Sequence, residues 1–363
     1  MIVFNKIQYD ARVIRAAESI AEMGLDVKVI SCNSSSQYFN EKFQSIVFTS
    51  KAKHQLILLD FWYQCLMYLF KYRKDIQLLY LHDYYMPILG WFFSIITGKK
   101  WVYDAHELMF YRKDEHHSFR NAFFLLLEKL SIKSASLVVA ANEERRKIMS
   151  FIYKLRNSIS VLNVSTASDT IDNCPYKENV IVYQGAISAE RSVDFFIRTH
   201  KKLSEKYVLK LIGGGPELNK YVEEVKVKEY KNIVFTGMLN QDDLYAESKK
   251  SKVGIITYPL SDLNNYYCSP NKVFEYAKMR IPMIVTKQPF LVHIIDKYKI
   301  GEVVNLSKDG QEYIDAVKKI DRNYSSYLLG MDKFLADYSA DKELNKLRIA
   351  ITTILGNENT ITD

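Results

Sequence analysis

A cation and a carboxylate stand at the start of a helical pattern in CSPNKVFEYAKMRIPMIV, residues 268–285. Ser269 and Pro270 are typical of a helix start, because Ser caps the first turn and Pro lacks an N–H that would find no partner there. Lys272 follows in the first turn, where the helix dipole disfavours positive charge by about 0.3–1 kcal/mol. An anionic ligand at this point would make Lys272 favourable, whereas the plain alternative is a solvated lysine with Glu275 as its ion partner.

The ends of several short apolar runs carry further candidates. Ligands bind beyond the carboxyl ends of the strands in open parallel sheets, so residues at these points can share one site. The polar residues placed in this way are His82 and Asp83 after LLYL (78–81), and Asp104, His106 and Glu107 in WVYDAHE (101–107). The glycines are Gly185, Gly213–Gly215 and Gly237. Each glycine can instead be a turn residue with positive φ, and each histidine a core or capping residue.

Composition limits the class of protein. A chain of 363 residues predicts two domains, and the net charge of +8 favours anionic partners such as nucleotides or an acidic membrane surface. Nucleic acid is disfavoured, because the basic residues are dispersed and no recognition module is visible. Four cysteines lie far apart without a CxxC pair, so neither a zinc site nor a disulfide framework is indicated. A reduced, cytoplasmic location fits, since no secretory signal is visible and the most apolar stretch, 87–97, is too short to span a bilayer.

Strand and helix patterns alternate along the chain, which predicts an α/β protein with two doubly wound, Rossmann-like domains and a cleft between them. The polar stretch 165–178 interrupts the alternation and predicts a linker, with a long surface loop as the alternative. We therefore expect an N-terminal domain at 1–164, a C-terminal domain at 179–335, and a C-terminal helix at 336–363 that packs across both. The first strand-like run, MIVFNKIQYD, contains no glycine, which argues against a nicotinamide dehydrogenase.

The ordered motifs of the second half resemble the donor domain of GT-B glycosyltransferases, in particular the retaining family 4 ("group 1") enzymes. The matching stretches are YQGAISAERSVDFFIRTHKKL, LKLIGGGPE, NIVFTGMLNQDDL, SKVGIITYPL and NNYYCSPNKVFEYAKMRIPMIV. The first half matches more loosely, through DARVIRAAESIAEMGLDVKV, LYLHD and YDAHEL. The resemblance covers nearly the whole chain and is most specific from Ser269 to Ile284.

The resemblance implies a nucleotide diphosphate sugar, UDP- or GDP-linked, held mainly by the C-terminal domain. Glu275 would bind the ribose hydroxyls, while backbone amides near Ser269 and Asn271 would face the distal phosphate. Arg191 and Lys272 would neutralise the diphosphate as it leaves. The remaining donor contacts would come from Gly185 and from the loop at Gly237 and Met238, whose backbone reads the base.

In the N-terminal domain, the resemblance implies that His106 lies beside the sugar and orients the donor. His82 and Asp83 are further candidates for the acceptor side, and Arg12, at the start of the first helix, could meet acceptor or phosphate. No cofactor and no metal are expected, because no DxD motif stands at a strand end. The implied reaction is transfer with retention, by front-face attack through an oxocarbenium-like state.

Two departures from the family pattern concern the sugar. The family usually has two glutamates with seven residues between them; the second is Glu275, and the first is replaced by Tyr267. The usual arginine after the first donor-domain glycine is replaced by Ala186. These losses favour one alternative, a catalytically inactive sugar-nucleotide-binding protein. A GT-B sugar-nucleotide epimerase is a second alternative. The expected acceptor is a glycan or a lipid-linked oligosaccharide, in bacterial surface polysaccharide synthesis.

Residues 61–100 combine bulky apolar side chains with trailing lysines and arginines. Such segments can lie on an anionic bilayer, which would make the enzyme peripheral at the inner face of the plasma membrane. Burial of the same segments against the sheet is the alternative.

Overall fold

The computed structural model describes residues 1–32, 38–52, 56–109, 119–164, 177–307 and 309–356. They divide into two compact units, one of Met1–Asn163 with Asp341–Asp363, and one of Val164–Ala340. Of the predicted linker at 165–178, only the last two residues are among those described. Cys174, one of the four cysteines, also lies outside the described residues, and the other three are buried.

The first unit contains one parallel sheet. Two strands pair with each other and four more pair in chain order, and Ile2 joins the two groups through parallel bridges to Ile30 and Leu81. The strands are β1 (Lys28–Cys32), β2 (Gln44–Phe48), β3 (Leu78–His82), β4 (Lys100–Ala105), β5 (Leu137–Ala140) and β6 (Ser158–Ser160). The helices are α1 (Ala11–Ala21), α2 (Leu56–Lys71), α3 (Pro87–Thr97), α4 (Phe119–Ser131) and α5 (Glu143–Tyr153).

The first helix shows how the sequence defines its elements. The Asp10 side chain caps α1 by accepting a hydrogen bond from the backbone N–H of Val13 at 3.2 Å. The apolar residues of α1 recur at helical spacing and are buried against the sheet, together with β-branched residues of the strands. Strands such as β5 are buried along their whole length, because helices cover both faces of a parallel sheet.

The second unit has six parallel strands in the order β12-β11-β10-β7-β8-β9. The strands are β7 (Glu178–Gln184), β8 (Val208–Ile212), β9 (Ile233–Gly237), β10 (Ser251–Ile256), β11 (Met283–Val285) and β12 (Gly301–Val303). The helices are α6 (Val193–His200), α7 (Leu218–Val227), α8 (Gln241–Ser248), α9 (Leu263–Tyr266), α10 (Lys272–Lys278), α11 (Pro289–Tyr298), α12 (Gln311–Arg322) and α13 (Tyr324–Asp337). The strand order reverses between β7 and β10, and this reversal is the point where ligands bind in such sheets.

The last described helix, α14 (Ala340–Gly356), packs on the first unit. Leu347 and Ile351 are buried in the same core as α1. The Glu343 carboxylate accepts a hydrogen bond from the backbone N–H of Leu162 at 2.9 Å. Among the described residues, no helix is both long and apolar enough to cross a membrane.

The predicted start of the helix after Cys268 is wrong by two residues. The structure begins α10 at Lys272 with Asn271 as the N-cap, whereas the sequence predicts Ser269. Pro270 and Asn271 accept the first backbone hydrogen bonds through their carbonyl groups, so the chain turns before it becomes helical. Lys272 is nevertheless in the first turn, as the sequence predicts.

Candidate active site

Four side chains that the sequence singled out lie together at the carboxyl ends of β3 and β4 in the first unit. His82 Nδ1 lies 3.2 Å from His106 Nε2, and His106 Nδ1 lies 3.2 Å from a carboxylate oxygen of Asp83. Arg12, near the start of α1, forms an ion pair with the buried carboxylate of Asp104. The cluster thus joins the acceptor-side candidates Arg12, His82 and Asp83 to His106.

Asp104 is the centre of this cluster, a role that the sequence did not assign to it. Its carboxylate accepts a hydrogen bond from the Tyr80 hydroxyl at 2.9 Å and lies 3.5 Å from His82 Nδ1. Burial alone would raise its pKa, but the Arg12 guanidinium and the hydrogen bond from His82 hold the pKa of Asp104 well below its usual range. Asp104 is therefore a permanent negative charge that keeps Arg12 in place.

Two further groups of the cluster, His106 and Asp83, have pKa values shifted in opposite directions. Burial, with the nearby Arg12 charge, lowers the pKa of His106 from 6.5 to about 3, so the imidazole is neutral at pH 7. Burial, with the negative charges of neighbouring carboxylates, raises the pKa of Asp83 from 3.8 to about 7. A neutral histidine beside a carboxyl group that titrates near pH 7 can hold or exchange a proton at its Nδ1 atom.

Backbone geometry positions Asp83 and His106, whose side chains contact each other. Asp83 has a φ of 65°, in the left-handed region that Asp and Asn tolerate better than most side chains. Its N–H donates to the Asp104 carbonyl at 3.1 Å, and the Arg145 guanidinium donates to the His106 carbonyl at 2.7 Å. Arg145, on α5, was not predicted as a site residue.

Two sets of side chains in this cluster have the chemistry of cation ligands. The sets are His82, Asp104 and His106, and Asp10, Asp83 and His106, with ligand atoms within 4.8 Å of one another in each. In the first set, Asp104 already forms an ion pair with Arg12. The positive charge of Arg12 would repel a metal ion.

In the second unit, two cations converge on one aromatic ring at the reversal point of the sheet. The Arg191 guanidinium carbon lies 3.9 Å from the centroid of the Tyr258 ring. Lys272 Nζ reaches the Tyr258 hydroxyl at 3.4 Å and lies 5.6 Å from the ring centroid. Arg191 follows β7 and Tyr258 follows β10, the two neighbouring strands at which the strand order reverses. Together with Gly185 they line a small pocket of about 40 Å³.

Tyr258 is held by the loop that follows β11. The amide of Gln288, which is fully buried, donates to the Tyr258 carbonyl at 2.8 Å, and Thr286 donates to the Gln288 side-chain oxygen at 2.7 Å. The backbone N–H of Tyr258 donates to the Thr286 hydroxyl at 3.4 Å. The ring between the two cations therefore projects from a hydrogen-bonded frame.

Glycines bring the turns at the strand ends into close contact. Gly213 has a φ of 144°, and a Cβ on it would lie 2.0 Å from the Gly185 carbonyl oxygen. A Cβ on Gly215 would lie 2.3 Å from the Ile187 carbonyl oxygen. Gly185 itself has a φ of 145°, and a Cβ on it would lie 3.6 Å from Lys272 Nζ. The glycines thus let the β7 and β8 turns meet beside Lys272.

The predicted base-reading loop lies next to the glycine-rich turn. The Gly237 carbonyl accepts a hydrogen bond from the N–H of Gly213 at 2.9 Å. Met238 is 80% exposed, and a Cβ on Gly214 would lie 3.1 Å from the Met238 side chain. Ser269 is half-buried in the loop before α10, and Asn271 contributes its carbonyl to the helix start.

Glu275 is oriented by a chain of side-chain hydrogen bonds. Gln184 Nε2 donates to the Glu275 carboxylate at 2.9 Å, and the buried Ser248 hydroxyl donates to Gln184 Oε1 at 3.3 Å. Burial raises the pKa of Glu275, and the Lys272 charge and the Gln184 hydrogen bond oppose that effect in part.

Sequence reasoning missed Tyr258, Gln184 and Tyr80 as members of these clusters. Tyr258 is the last residue of the predicted strand KVGIITY, and Gln184 directly precedes Gly185. The expectation that ligands bind at strand ends could therefore have identified both. Tyr80 lies inside a strand, where an alternating pattern gives no signal for a hydrogen bond to Asp104.

Family models match both units. The model described as "Glycosyltransferase Family 4" matches residues 11–162, and the model described as "Glycosyl transferases group 1" matches residues 178–323. No curated protein sequence matches the chain significantly.

Solved structures share the fold over the whole length. HepE from Anabaena, in complex with UDP, is 13% identical, with a TM-score of 0.70 over 97% of this chain and 99% of that one. Sucrose-phosphate synthase from Thermosynechococcus elongatus is 14% identical, with a TM-score of 0.73 over 95% and 93%. WaaG, a glycosyltransferase involved in lipopolysaccharide biosynthesis, is 14% identical, with a TM-score of 0.68 over 95% of each chain.

The α/β class with two Rossmann-like, parallel-sheet domains is confirmed by the two sheets and by these neighbours. Between them, the two family models account for most of both units. The chain therefore belongs to family 4 of the GT-B glycosyltransferases and is a glycosyltransferase enzyme.

Proposed function

We propose that the enzyme transfers a sugar from a UDP- or GDP-linked donor to a glycan or a lipid-linked acceptor, with retention of the anomeric configuration. The observation that carries the donor proposal is the convergence of Arg191 and Lys272 on Tyr258 at the reversal point of the second sheet. A nucleoside diphosphate would place its phosphates between these cations and the turn at Gly185.

The charges match the chemistry of the leaving group. As the bond from the anomeric carbon to the diphosphate oxygen breaks, negative charge grows on the departing phosphate. Two fixed cations aimed at that oxygen stabilise the transition state more than the ground state, which is the larger electrostatic contribution to such a reaction. The hydrogen-bonded frame around Tyr258 supports this role, because fixed charges need no reorganisation when the bond breaks.

Glu275 suits the ribose of the donor. Its carboxylate is held by Gln184 and lies one turn after Lys272, so it can accept hydrogen bonds from the two ribose hydroxyls while the cations hold the phosphates. We assign the base to the loop of Gly237 and Met238, whose exposed position beside the Gly213–Gly215 turn supports that role. Ser269 and Asn271 would complete the donor contacts through their backbone.

We assign the acceptor side and the sugar to the cluster of the first unit. A neutral His106 can lie beside the sugar without adding a charge to the oxocarbenium-like state. Asp83 and His82 fix the His106 ring through its two nitrogens, and Arg12 is available to an anionic group on either substrate. Retention by front-face attack rests on the family resemblance.

The HepE structures are complexes of that protein with UDP, with UDP and glucose, and with UDP-glucose. They support a nucleotide sugar as the donor of this enzyme, since the fold is shared. WaaG and WaaB, named for lipopolysaccharide synthesis, support a surface polysaccharide as the product. A lipid-linked acceptor would bring the enzyme to the cytoplasmic face of the membrane. We propose that no metal is needed, since Arg191 and Lys272 supply the charge that a cation would supply.

Calorimetric titration of UDP and GDP in the presence of EDTA tests the donor site. Binding of either nucleotide, lost when Arg191 and Lys272 are both replaced by Gln, would support the proposal. Absence of binding to every nucleoside diphosphate would overturn it. Product analysis with a panel of nucleotide sugars then separates transfer from epimerisation.

A further inference from the structure

Three neighbouring helices of the first unit expose large apolar side chains on their outer side. α2 contacts α3, and α3 contacts α4. They follow β2, β3 and β4 and lead to β3, β4 and β5, so the right-handed crossover places all three on one face of the sheet. α1 and α14 cover the opposite face.

The exposed residues form one stripe on each helix. The spacing is that of a single helical face, with separations of three or four residues. Their exposed fractions run from 42% at Phe92 to 63% at Tyr63 and Ile95. The stripes are Leu59, Tyr63 and Met67 on α2; Phe92, Ile95 and Ile96 on α3; and Phe123, Leu126 and Leu130 on α4. We call these nine residues the three-helix face.

The inner sides of the same helices are also apolar. Phe61, Cys65 and Leu69 of α2 are buried, as are Leu89 and Phe93 of α3. The alternative of burial against the sheet therefore holds for the inner sides of α2 and α3, and their outer sides are exposed. A helix that is apolar all round is normally buried on all sides, so the outer side calls for a partner.

Cations border the three-helix face at one end. The three helices run antiparallel to the strands, so their carboxyl ends lie along the same edge of the sheet. Exposed cations at these ends are Lys71, the last residue of α2, with Arg73 and Lys74 after it, and Lys129 in the last turn of α4 with Lys133 after it. Lys99, after α3, is half-buried. Asp75 is an exposed carboxylate in the same region. α3 carries no charged residue.

We infer that the three-helix face is a docking surface for an anionic lipid bilayer. Its apolar stripes can enter the boundary between headgroups and acyl chains, while the basic border meets the lipid phosphates. A second copy of this chain could cover the apolar stripes, but it would leave the basic border without a counterpart. The inference does not depend on the donor site, which lies on the other unit.

Sedimentation with sucrose-loaded vesicles tests the inference. We expect the wild-type protein to bind vesicles of phosphatidylcholine with phosphatidylglycerol at low salt and to leave them at high salt. Binding to pure phosphatidylcholine should be weaker. The vesicle–water partition coefficient should fall by roughly tenfold or more in Ile95→Asp and in Leu126→Asp. Each change removes an exposed aliphatic side chain that the bilayer would bury.

Leu329→Asp on α13 is the matched control, because Leu329 is equally apolar and 70% exposed on the second unit. It should bind vesicles like the wild type. The variant Lys71→Gln/Arg73→Gln/Lys74→Gln should lose the preference for anionic lipid and keep the weaker binding to neutral vesicles.

Three outcomes would overturn the inference: no binding to anionic vesicles, equal binding by the Ile95 and Leu126 variants, or a concentration-dependent dimer that these variants abolish while vesicles bind nothing. Salt release of the wild type needs no variant, so a folding defect in any variant does not remove the test. Nucleotide titration of the same samples reports separately on the donor site.

Discussion

The guanidinium carbon of Arg191 lies 3.9 Å from the centre of the Tyr258 ring, and the Lys272 ammonium reaches the hydroxyl of that same tyrosine at 3.4 Å. One aromatic residue thus fixes the positions of two cations that come from different parts of the chain. A lysine at the start of a helix costs free energy when it is solvated, and here it is oriented by a neighbour instead.

Tyr258→Leu removes the platform and should weaken binding of a nucleoside diphosphate by about 0.5–2 kcal/mol, the range of a cation–π contact together with the lost orientation of both cations. Tyr258→Phe keeps the ring and removes only the hydroxyl, so its affinity should stay within about 0.5 kcal/mol of the wild type. Calorimetric titration measures both. Equal losses in the two variants would show that the hydroxyl, and not the ring, positions the cations.

Glu275→Ala should weaken the binding free energy of the nucleotide by about 1.5–3 kcal/mol, because it removes an acceptor for the ribose hydroxyls. His106→Ala, on the first unit, should leave nucleotide affinity nearly unchanged and should lower kcat strongly, since its contact matters when the sugar approaches the transition state. Titration beside initial rates separates the two effects.

Glu275→Gln is the control for the first variant, because it keeps the shape and one acceptor oxygen. Normal nucleotide binding by Glu275→Ala would mean that the carboxylate is structural. Wild-type turnover by His106→Ala would remove the first-unit cluster from the reaction.

Asp83 should make the stability of the enzyme depend on pH in a defined direction. Its folded pKa is raised from 3.8 to about 7, so between about pH 4 and pH 7 the folded state keeps a proton that the unfolded state has released. This stabilisation is present at low pH and is lost as the pH rises through that window. Asp83→Asn cannot ionise, so its stability relative to the wild type should increase from pH 4 to pH 7 and stay constant above pH 8.

Urea unfolding at a series of pH values measures this difference. Asn tolerates the left-handed φ of 65° at this position, so the backbone is preserved. A difference that does not change with pH would mean that Asp83 is ionised throughout.

Gly213→Ala should destabilise the second unit by more than about 3 kcal/mol, because the new Cβ would lie 2.0 Å from the Gly185 carbonyl oxygen on a backbone with a φ of 144°. Gly237→Ala has a positive φ of 74° but no atom within 4 Å of its Cβ, so it should cost only about 1–2 kcal/mol. Chemical unfolding followed by circular dichroism compares them. Similar losses would mean that the two turns separate easily.

Much of the fold was readable from the sequence because buried parallel strands form short apolar runs. The runs that end at Asp83, Glu107, Gly185 and Gly237 all correspond to strands. β2 and β6 were not predicted, since their residues are only partly buried and QSIVF and SIS have no distinctive pattern.

The sequence predicted many of the residues of the candidate site, but few of the contacts between them. The strand-end rule found His82, Asp83 and His106, but it could not show that a carboxylate on β4 would pair with Arg12, because that contact depends on how α1 packs. The assignment of Ser269 as a cap was wrong because the chain turns through Pro270 and Asn271 before α10 begins. Side-chain orientation at a turn depends on neighbours far away in sequence.

Because α14 lies in the core beside α1, the first unit is discontinuous along the chain, and the second is an insertion within it. During synthesis the first unit cannot complete its core until all of the second has been made, because Leu347 and Ile351 of that core are synthesised after residues 164–340. The second unit, continuous from 164 to 340, has every strand of its sheet in one stretch. Deleting the segment after residue 340 should therefore lower the unfolding temperature of the first unit alone, and residues 164–340 should fold as an independent fragment.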